Sequence, residues 1–130
     1  MNKTILIVDD EKDFCTVLSD SLSQDRYRAV TAFNGKTALQ LAKKEKPDLI
    51  LLDIKMPGMD GIEVLKKIKK MRKEIAVIMF TAFGTLETAR EAMKLGAYDY
   101  VTKPVDLFFL KSLVKEVLGK GSESVTKGKR

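Results

Sequence analysis

The chain has 130 residues, of which 45% are hydrophobic and 32% charged, and its net charge is +6, which is typical of one globular domain. It lacks an apolar stretch of the roughly 20 residues needed to span a bilayer, and its single cysteine, Cys15, excludes an internal disulfide, so we expect a cytoplasmic protein without a membrane span. The positive charge is concentrated in the tail and on one predicted helix, and no nucleic-acid-binding signature accompanies it, so we expect no direct nucleic-acid contact.

Strand and helix signals alternate along the first half of the chain. An apolar run over 5–8 predicts a strand, and a helix is expected to begin near Asp10 or Glu11. Residues 28–31 predict a short second strand and residues 36–44 a second helix that stops before Pro47. The expected inward-facing residues of the first helix are Phe14, Val17, Leu18 and Leu22.

The alternation continues through the second half. Apolar runs over 49–52, 77–80 and 98–102 predict three further strands. Asp60, Thr85 and Asp106 are expected to cap the helices that follow them. The fourth helix is expected to face inward with Leu86, Ala89, Ala92 and Met93. The tail over 119–130 is basic and nearly devoid of apolar residues, so we expect it to be mobile.

Five strands alternating with five helices predict an α/β protein, a three-layer sandwich around a parallel sheet. Four of the five strands end in a reactive polar group, namely Asp9-Asp10, Asp53, Thr81 and Lys103. Ligands of open parallel sheets bind at the carboxyl ends of the strands. The sequence therefore predicts a site for Mg²⁺ and a phosphoryl group at this edge.

Each of these residues also has an ordinary structural explanation. Asp9 and Asp10 could cap the first helix, Asp53 could be a loop residue, Thr81 suits a strand, and most lysines are simply solvated. The functional interpretation depends on the coincidence of all four strand ends.

The motifs resemble the receiver domain of bacterial two-component response regulators over residues 3–118. The matching segments are 5–10, 52–61, 81–82 and 103–104. The resemblance implies a flavodoxin-like (βα)5 fold with a five-stranded parallel sheet in the order 2-1-3-4-5. It also implies a phosphoacceptor in a signalling protein, which catalyses only its own phosphorylation and slow dephosphorylation.

The resemblance carries roles to individual residues. Asp53 resembles the phosphoacceptor, and Mg²⁺, with Mn²⁺ as the alternative ion, would bind Asp9, Asp10, Asp53 and the backbone carbonyl of Lys55. Thr81 would bind a phosphoryl oxygen, and Lys103 would pair with the same group. The resemblance further implies that Tyr100 is the switch aromatic and that Pro104 follows a cis peptide bond. Phe83 and Gly84 would lie in the loop after the fourth strand. Lys55 and Phe83 would slow the hydrolysis of the acyl phosphate.

Charge counting supports the metal. Asp9, Asp10 and Asp53 contribute −3 and Lys103 contributes +1, so a divalent cation neutralises the site. The chain contains no histidine, so a phosphohistidine donor must be another protein, which the resemblance identifies as a histidine kinase or histidine phosphotransfer protein. A downstream phosphotransferase or effector is a further expected partner, and we expect a monomer or weak dimer.

Three alternatives remain at this point. A haloacid-dehalogenase-like phosphatase also uses a strand-end Asp nucleophile, but Lys55 stands where its second Asp would be. A receiver-like module that works without phosphorylation is the second. The third is a receiver cut from a longer DNA-binding regulator of the σ54-activator type. The sequence also resembles sporulation-type single-domain relays, and because only about 12 residues follow the last predicted helix, we expect a stand-alone relay protein.

Overall fold

The computed structural model describes residues 2–82 and 86–119, in which five strands alternate with five helices. The strands are β1 (Thr4–Val8), β2 (Arg28–Ala32), β3 (Leu49–Asp53), β4 (Ala76–Thr81) and β5 (Asp99–Thr102). The helices are α1 (Lys12–Gln24), α2 (Gly35–Glu45), α3 (Gly61–Met71), α4 (Leu86–Lys94) and α5 (Leu107–Leu118). None of these helices is long and apolar enough to cross a membrane.

The strands form one parallel sheet in the order β2-β1-β3-β4-β5. Side chains of successive strand residues point to opposite faces, so Ile5 and Ile7 pack with α1 and α5, whereas Leu6 and Val8 pack toward α2, α3 and α4. All residues of β3 are buried, because helices cover both faces of the sheet. The predicted three-layer α/β fold and its strand order are therefore confirmed.

Aspartate side chains begin two of the helices, as the sequence predicts. The Asp60 carboxylate accepts a hydrogen bond from the Glu63 backbone N–H, and the Asp106 carboxylate accepts from the backbone N–H groups of Phe108 and Phe109. Helix α1 begins at Lys12, slightly later than expected, and the side chain of its N-cap residue Glu11 makes no capping hydrogen bond.

Three helical side chains that were expected to face inward are exposed. Val17 is 51%, Leu86 57% and Met93 40% exposed. In α1 the buried stripe is formed by Cys15, Leu18 and Leu22, and Val17 lies beside it. Helix α4 packs through the small residues Ala89 and Ala92, so the larger side chains nearer its two ends remain outside. Thr85, the expected cap of α4, lies outside the described residues, as does the tail beyond residue 119.

The loop after β3 passes very close to the start of α3. The backbone N–H of Gly61 donates to the Ile54 carbonyl at 2.8 Å. A Cβ at position 61 would lie 2.2 Å from the backbone oxygen of Asp53 and 2.7 Å from the Cα of Ile54. Only glycine fits this close approach of two backbones. The approach holds the chain in place just where Asp53 leaves the strand.

Candidate functional site

The polar strand-end residues meet at one edge of the sheet. Asp53 is the last residue of β3 and Thr81 the last residue of β4, whereas Asp9 directly follows β1 and Lys103 directly follows β5. Because β1, β3, β4 and β5 are parallel neighbours, their carboxyl ends lie side by side. The structure thus brings together residues that are up to 94 positions apart in the sequence.

Three carboxylates form an acidic cluster at this edge. Asp9 and Asp53 are buried, Asp10 is exposed, and one oxygen from each lies within 4.8 Å of the others. The Asp9 carboxylate accepts from the Glu11 backbone N–H at 2.9 Å, and the Asp53 carboxylate accepts from the Lys55 backbone N–H at 3.3 Å. These bonds fix one oxygen of each buried carboxylate and leave the other for a second partner.

The ammonium group of Lys103 is the positive charge in this cluster. Its Nζ lies 2.8 Å from Asp9 Oδ2 and 3.7 Å from Asp53 Oδ2. The Lys103 side chain is only 16% exposed. It is thus a largely desolvated cation shared unequally by two buried carboxylates.

The surroundings raise the pKa values of both Asp53 and Lys103, for different reasons. Burial, reinforced by the negative charge of Asp9 and only partly opposed by Lys103, raises the pKa of Asp53 to about 6. Burial acts to lower the pKa of Lys103, but its hydrogen bond to Asp9 and the nearby carboxylates outweigh this, and the pKa is raised. Burial is thus the main reason that Asp53 is harder to ionise, and Lys103 offsets this effect only in part.

The residues fit a hard divalent cation. Carboxylate oxygens are the donors that Mg²⁺ prefers, and those of Asp9, Asp10 and Asp53 are close enough to share one ion. Burial and the nearby Asp9 carboxylate raise the pKa of Asp53 and Lys103 offsets them only in part, so added positive charge would favour the ionised form. A bound Mg²⁺ would supply that charge.

Thr81 and Lys103 are joined through the backbone. The Lys103 N–H donates to the Thr81 carbonyl at 2.8 Å, and the Lys103–Pro104 peptide bond that follows is cis. The Thr81 side chain is buried, and its hydroxyl has no hydrogen-bond partner within residues 2–82 and 86–119. A buried hydroxyl without a partner is suited to a ligand oxygen.

Sequence comparison identifies the family. Residues 5–115 match the response regulator receiver domain. The chain belongs to the response regulator receiver family. This membership excludes the phosphatase alternative.

Relatives of this receiver domain differ in length. It is 43% identical over 118 residues to sporulation initiation phosphotransferase F of Bacillus subtilis strain 168, a match covering 91% of this chain and 95% of the relative. It is 44% identical over 114 residues to the regulatory protein AtoC of Escherichia coli strain K12, covering 88% of this chain but 25% of AtoC. A CheY-like receiver domain protein from Methanospirillum hungatei JF-1 superposes with a TM-score of 0.90 at 32% identity, covering 95% of this chain and 99% of that one.

Two residues near Lys103 were not predicted from the sequence to belong to the receiver site. Glu11 Oε1 lies 3.4 Å from Lys103 Nζ, and the Phe14 ring centroid lies 4.5 Å from the same nitrogen. Both belong to the turn and first residues of α1, and position 11 directly follows the acidic pair. That adjacency was the available signal for Glu11, whereas the sequence holds none for Phe14.

Two other predicted receiver residues, Lys55 and Tyr100, have exposed side chains. The Lys55 side chain is exposed, although its backbone N–H contacts Asp53. Tyr100 on β5 is 38% exposed, so its ring is directed at least partly toward solvent. Phe83 and Gly84 lie outside the described residues.

Proposed function

We propose that this receiver accepts a phosphoryl group from a phosphohistidine onto Asp53 in a Mg²⁺-dependent phosphorelay. The donor would be a histidine kinase or a histidine phosphotransfer protein. The observation that supports this most strongly is the placement of Lys103 Nζ between Asp9, at 2.8 Å, and Asp53, at 3.7 Å, in a mostly buried carboxylate cluster. A strand-end carboxylate beside a cation can act as a nucleophile toward phosphorus and hold the dianionic product.

The proposed step needs no general base. An ionised Asp53 oxygen attacks phosphorus, a new P–O bond forms, and the P–N bond to the donor histidine breaks, with its electron pair remaining on the imidazole. Lys103 would pair with the transferred oxygens, and the Thr81 hydroxyl would donate to one of them. Asp9, Asp10, Asp53 and the Lys55 carbonyl would hold Mg²⁺. The ion supplies charge neutralisation for the transferring group.

The reaction can be tested with acetyl phosphate, from which acetate leaves as the Asp53–phosphorus bond forms. We expect stoichiometric acid-stable but base-labile labelling in Mg²⁺, none in EDTA, and none in Asp53→Asn. The matched control is Asp48→Asn. Asp48 directly precedes the same strand at its opposite end, where its carboxylate accepts from the Thr4 N–H, so its replacement should leave labelling intact. Folded wild-type protein that stays unlabelled with acetyl phosphate and with phosphorylated kinases would favour the phosphorylation-independent module instead.

We further propose that phosphorylation moves Thr81 toward the phosphoryl group and lets Tyr100 turn inward, altering the face formed by α4, β5 and α5. Support comes from the free hydroxyl of Thr81 within the described ranges and from the exposure of Tyr100. Phosphorylation would favour one of two arrangements of Thr81 and Tyr100 over the other.

The switch predicts a change in the solvent accessibility of the Tyr100 ring. With beryllofluoride and Mg²⁺ we expect it to fall by at least half, because the ring enters space that Thr81 leaves. Tyr27, on the α1–β2 connection, is the internal control, and its accessibility should not change. Photochemical labelling of tyrosines followed by mass spectrometry measures both. Equal labelling of Tyr100 in the two states would rule out the rotation.

The 43% identity to sporulation initiation phosphotransferase F, over 95% of that relative, supports a relay role for this receiver, because that protein is named as a phosphotransferase. We propose a cytoplasmic monomer or weak dimer, with a receiver over 3–118 followed by a basic tail, that passes its phosphoryl group onward. Transfer of label from the chain to a second histidine phosphotransfer protein tests this. Label that leaves only as inorganic phosphate would indicate a receiver that ends the pathway.

A further inference from the structure

An aromatic ring lies against the ammonium group of the site. Phe14, on the first turn of α1, has its ring centroid 4.5 Å from Lys103 Nζ. It also contacts Phe80 of β4, whose fully buried ring meets it edge to face at a centroid distance of 5.5 Å and an interplanar angle of 79°. Phe14 is thus held by the core on one side and contacts the lysine on the other.

We propose that Phe14 is a positioning residue that holds the Lys103 ammonium group over the carboxylates through the face of its ring. For its effect on phosphoryl transfer, this inference rests on the function proposed above. The contact between ring and ammonium stands on the geometry alone.

The lysine side chain is flexible. Its ammonium is a mobile point charge on a four-carbon stem, so fixing it costs conformational entropy. Three carboxylates compete for it here, those of Asp9 at 2.8 Å, Glu11 at 3.4 Å and Asp53 at 3.7 Å. Without a further contact, the ammonium could follow the exposed Glu11 outward, since the Glu11 side chain is 66% exposed.

A ring face attracts a cation without adding a negative charge. Phe14 can therefore keep the ammonium inside the cluster while leaving its charge available for a phosphoryl group. A carboxylate in the same place would hold the lysine more firmly, but it would also repel the phosphoryl group. The edge-to-face packing on Phe80 fixes the ring itself.

The chain offers a matched control pair. Lys12 Nζ lies 5.2 Å from the ring centroid of Phe33, and Phe33 is 37% exposed. Among the described residues, Lys12 makes no ion pair with the acidic cluster, whose ion pairs are all with Lys103. Phe33→Leu thus removes a similar ring–cation contact that does not involve Lys103.

The first measurement is the rate of labelling by acetyl phosphate at saturating Mg²⁺. We expect Phe14→Leu to label roughly three- to tenfold more slowly than wild type. Phe14→Tyr, which keeps the ring, should stay within about twofold, as should Phe33→Leu. Incorporation of 3,4,5-trifluorophenylalanine at position 14 keeps the shape but weakens the negative ring face, and it should slow labelling even if Phe14→Leu folds poorly.

The second measurement needs neither metal nor donor. In wild type and Phe14→Tyr, the ring current should shift the Lys103 ε-methylene proton resonances upfield from those of exposed lysines, and in Phe14→Leu the shift should disappear. Unshifted wild-type resonances would overturn the contact, and equal labelling rates in wild type, Phe14→Leu and the trifluoro variant would overturn its role. An unlabelled wild type with shifted resonances would instead sink the proposed function and support the contact.

Discussion

Replacing Lys103 by Met should lower the free energy of unfolding by about 3–5 kcal/mol at pH 7 in metal-free solution. Asp9 is completely buried, and Lys103 Nζ is 2.8 Å from its carboxylate. Methionine keeps the length and apolar stem of lysine but leaves the buried Asp9 charge without its partner. Urea unfolding in EDTA, followed by circular dichroism, measures the change.

Two controls separate this loss from a general effect of removing lysine. Lys111 Nζ lies 3.5 Å from Asp25, but both side chains are partly exposed, so Lys111→Met should cost less than about 1 kcal/mol. The double variant Asp9→Asn with Lys103→Met removes the unpaired charge and should regain most of the lost stability. Equal losses in the two single lysine variants would contradict the buried-pair explanation.

Asp53→Asn should be more stable than wild type at pH 7 in EDTA, by on the order of 2–3 kcal/mol. The folded pKa of Asp53 is raised to about 6, chiefly by burial, whereas an unfolded aspartate titrates near 3.9. Ionisation is therefore harder in the folded state. The wild type keeps its full stability below about pH 4 and loses it progressively as the pH rises through about 6. Asparagine has no such titration.

The signature of this effect is its pH window. The stability difference between Asp53→Asn and wild type, measured by urea unfolding at several pH values, should grow between about pH 4 and pH 7 and then level off. Adding Mg²⁺ at pH 7 should stabilise wild type more than the variant, because the proposed ion site of the folded protein includes the Asp53 carboxylate. A stability difference that does not vary with pH would show that ionisation of Asp53 does not destabilise the folded protein.

The architecture was open to prediction because its signals are local. Each buried strand is an apolar run, and each run except that of β2 stops at a polar residue, so the parallel arrangement alone places Asp9, Asp53, Thr81 and Lys103 at one edge. Capping by Asp60 and Asp106 is likewise a local hydrogen-bonding property.

What the sequence did not predict depends on how elements pack. The inward face of α4 could not be read from hydrophobicity, because its contact is made by alanines that allow a close approach while Leu86 and Met93 lie outside. The positions of Glu11 and Phe14 around Lys103 depend on the path of the chain into α1 relative to β5. Glu11 and Phe14 are each about 90 positions from Lys103 in the sequence, and no periodic pattern predicts that they lie close to it.

The strand order places different kinds of site residue on the two sides of β3. On one flank, β1 leads into the acidic pair, and β2 lies beyond β1 in the sheet. Within the described parts of the chain, β2 adds no residue to the cluster. On the other flank, β4 and β5 lead to the Thr81 hydroxyl and the Lys103 ammonium group, and helices α4 and α5 follow these two strands in the chain. Under the proposed function, cation binding and signal output would lie on opposite sides of a shared central strand, so the output surface could be remodelled for new partners while the acidic pair stays unchanged.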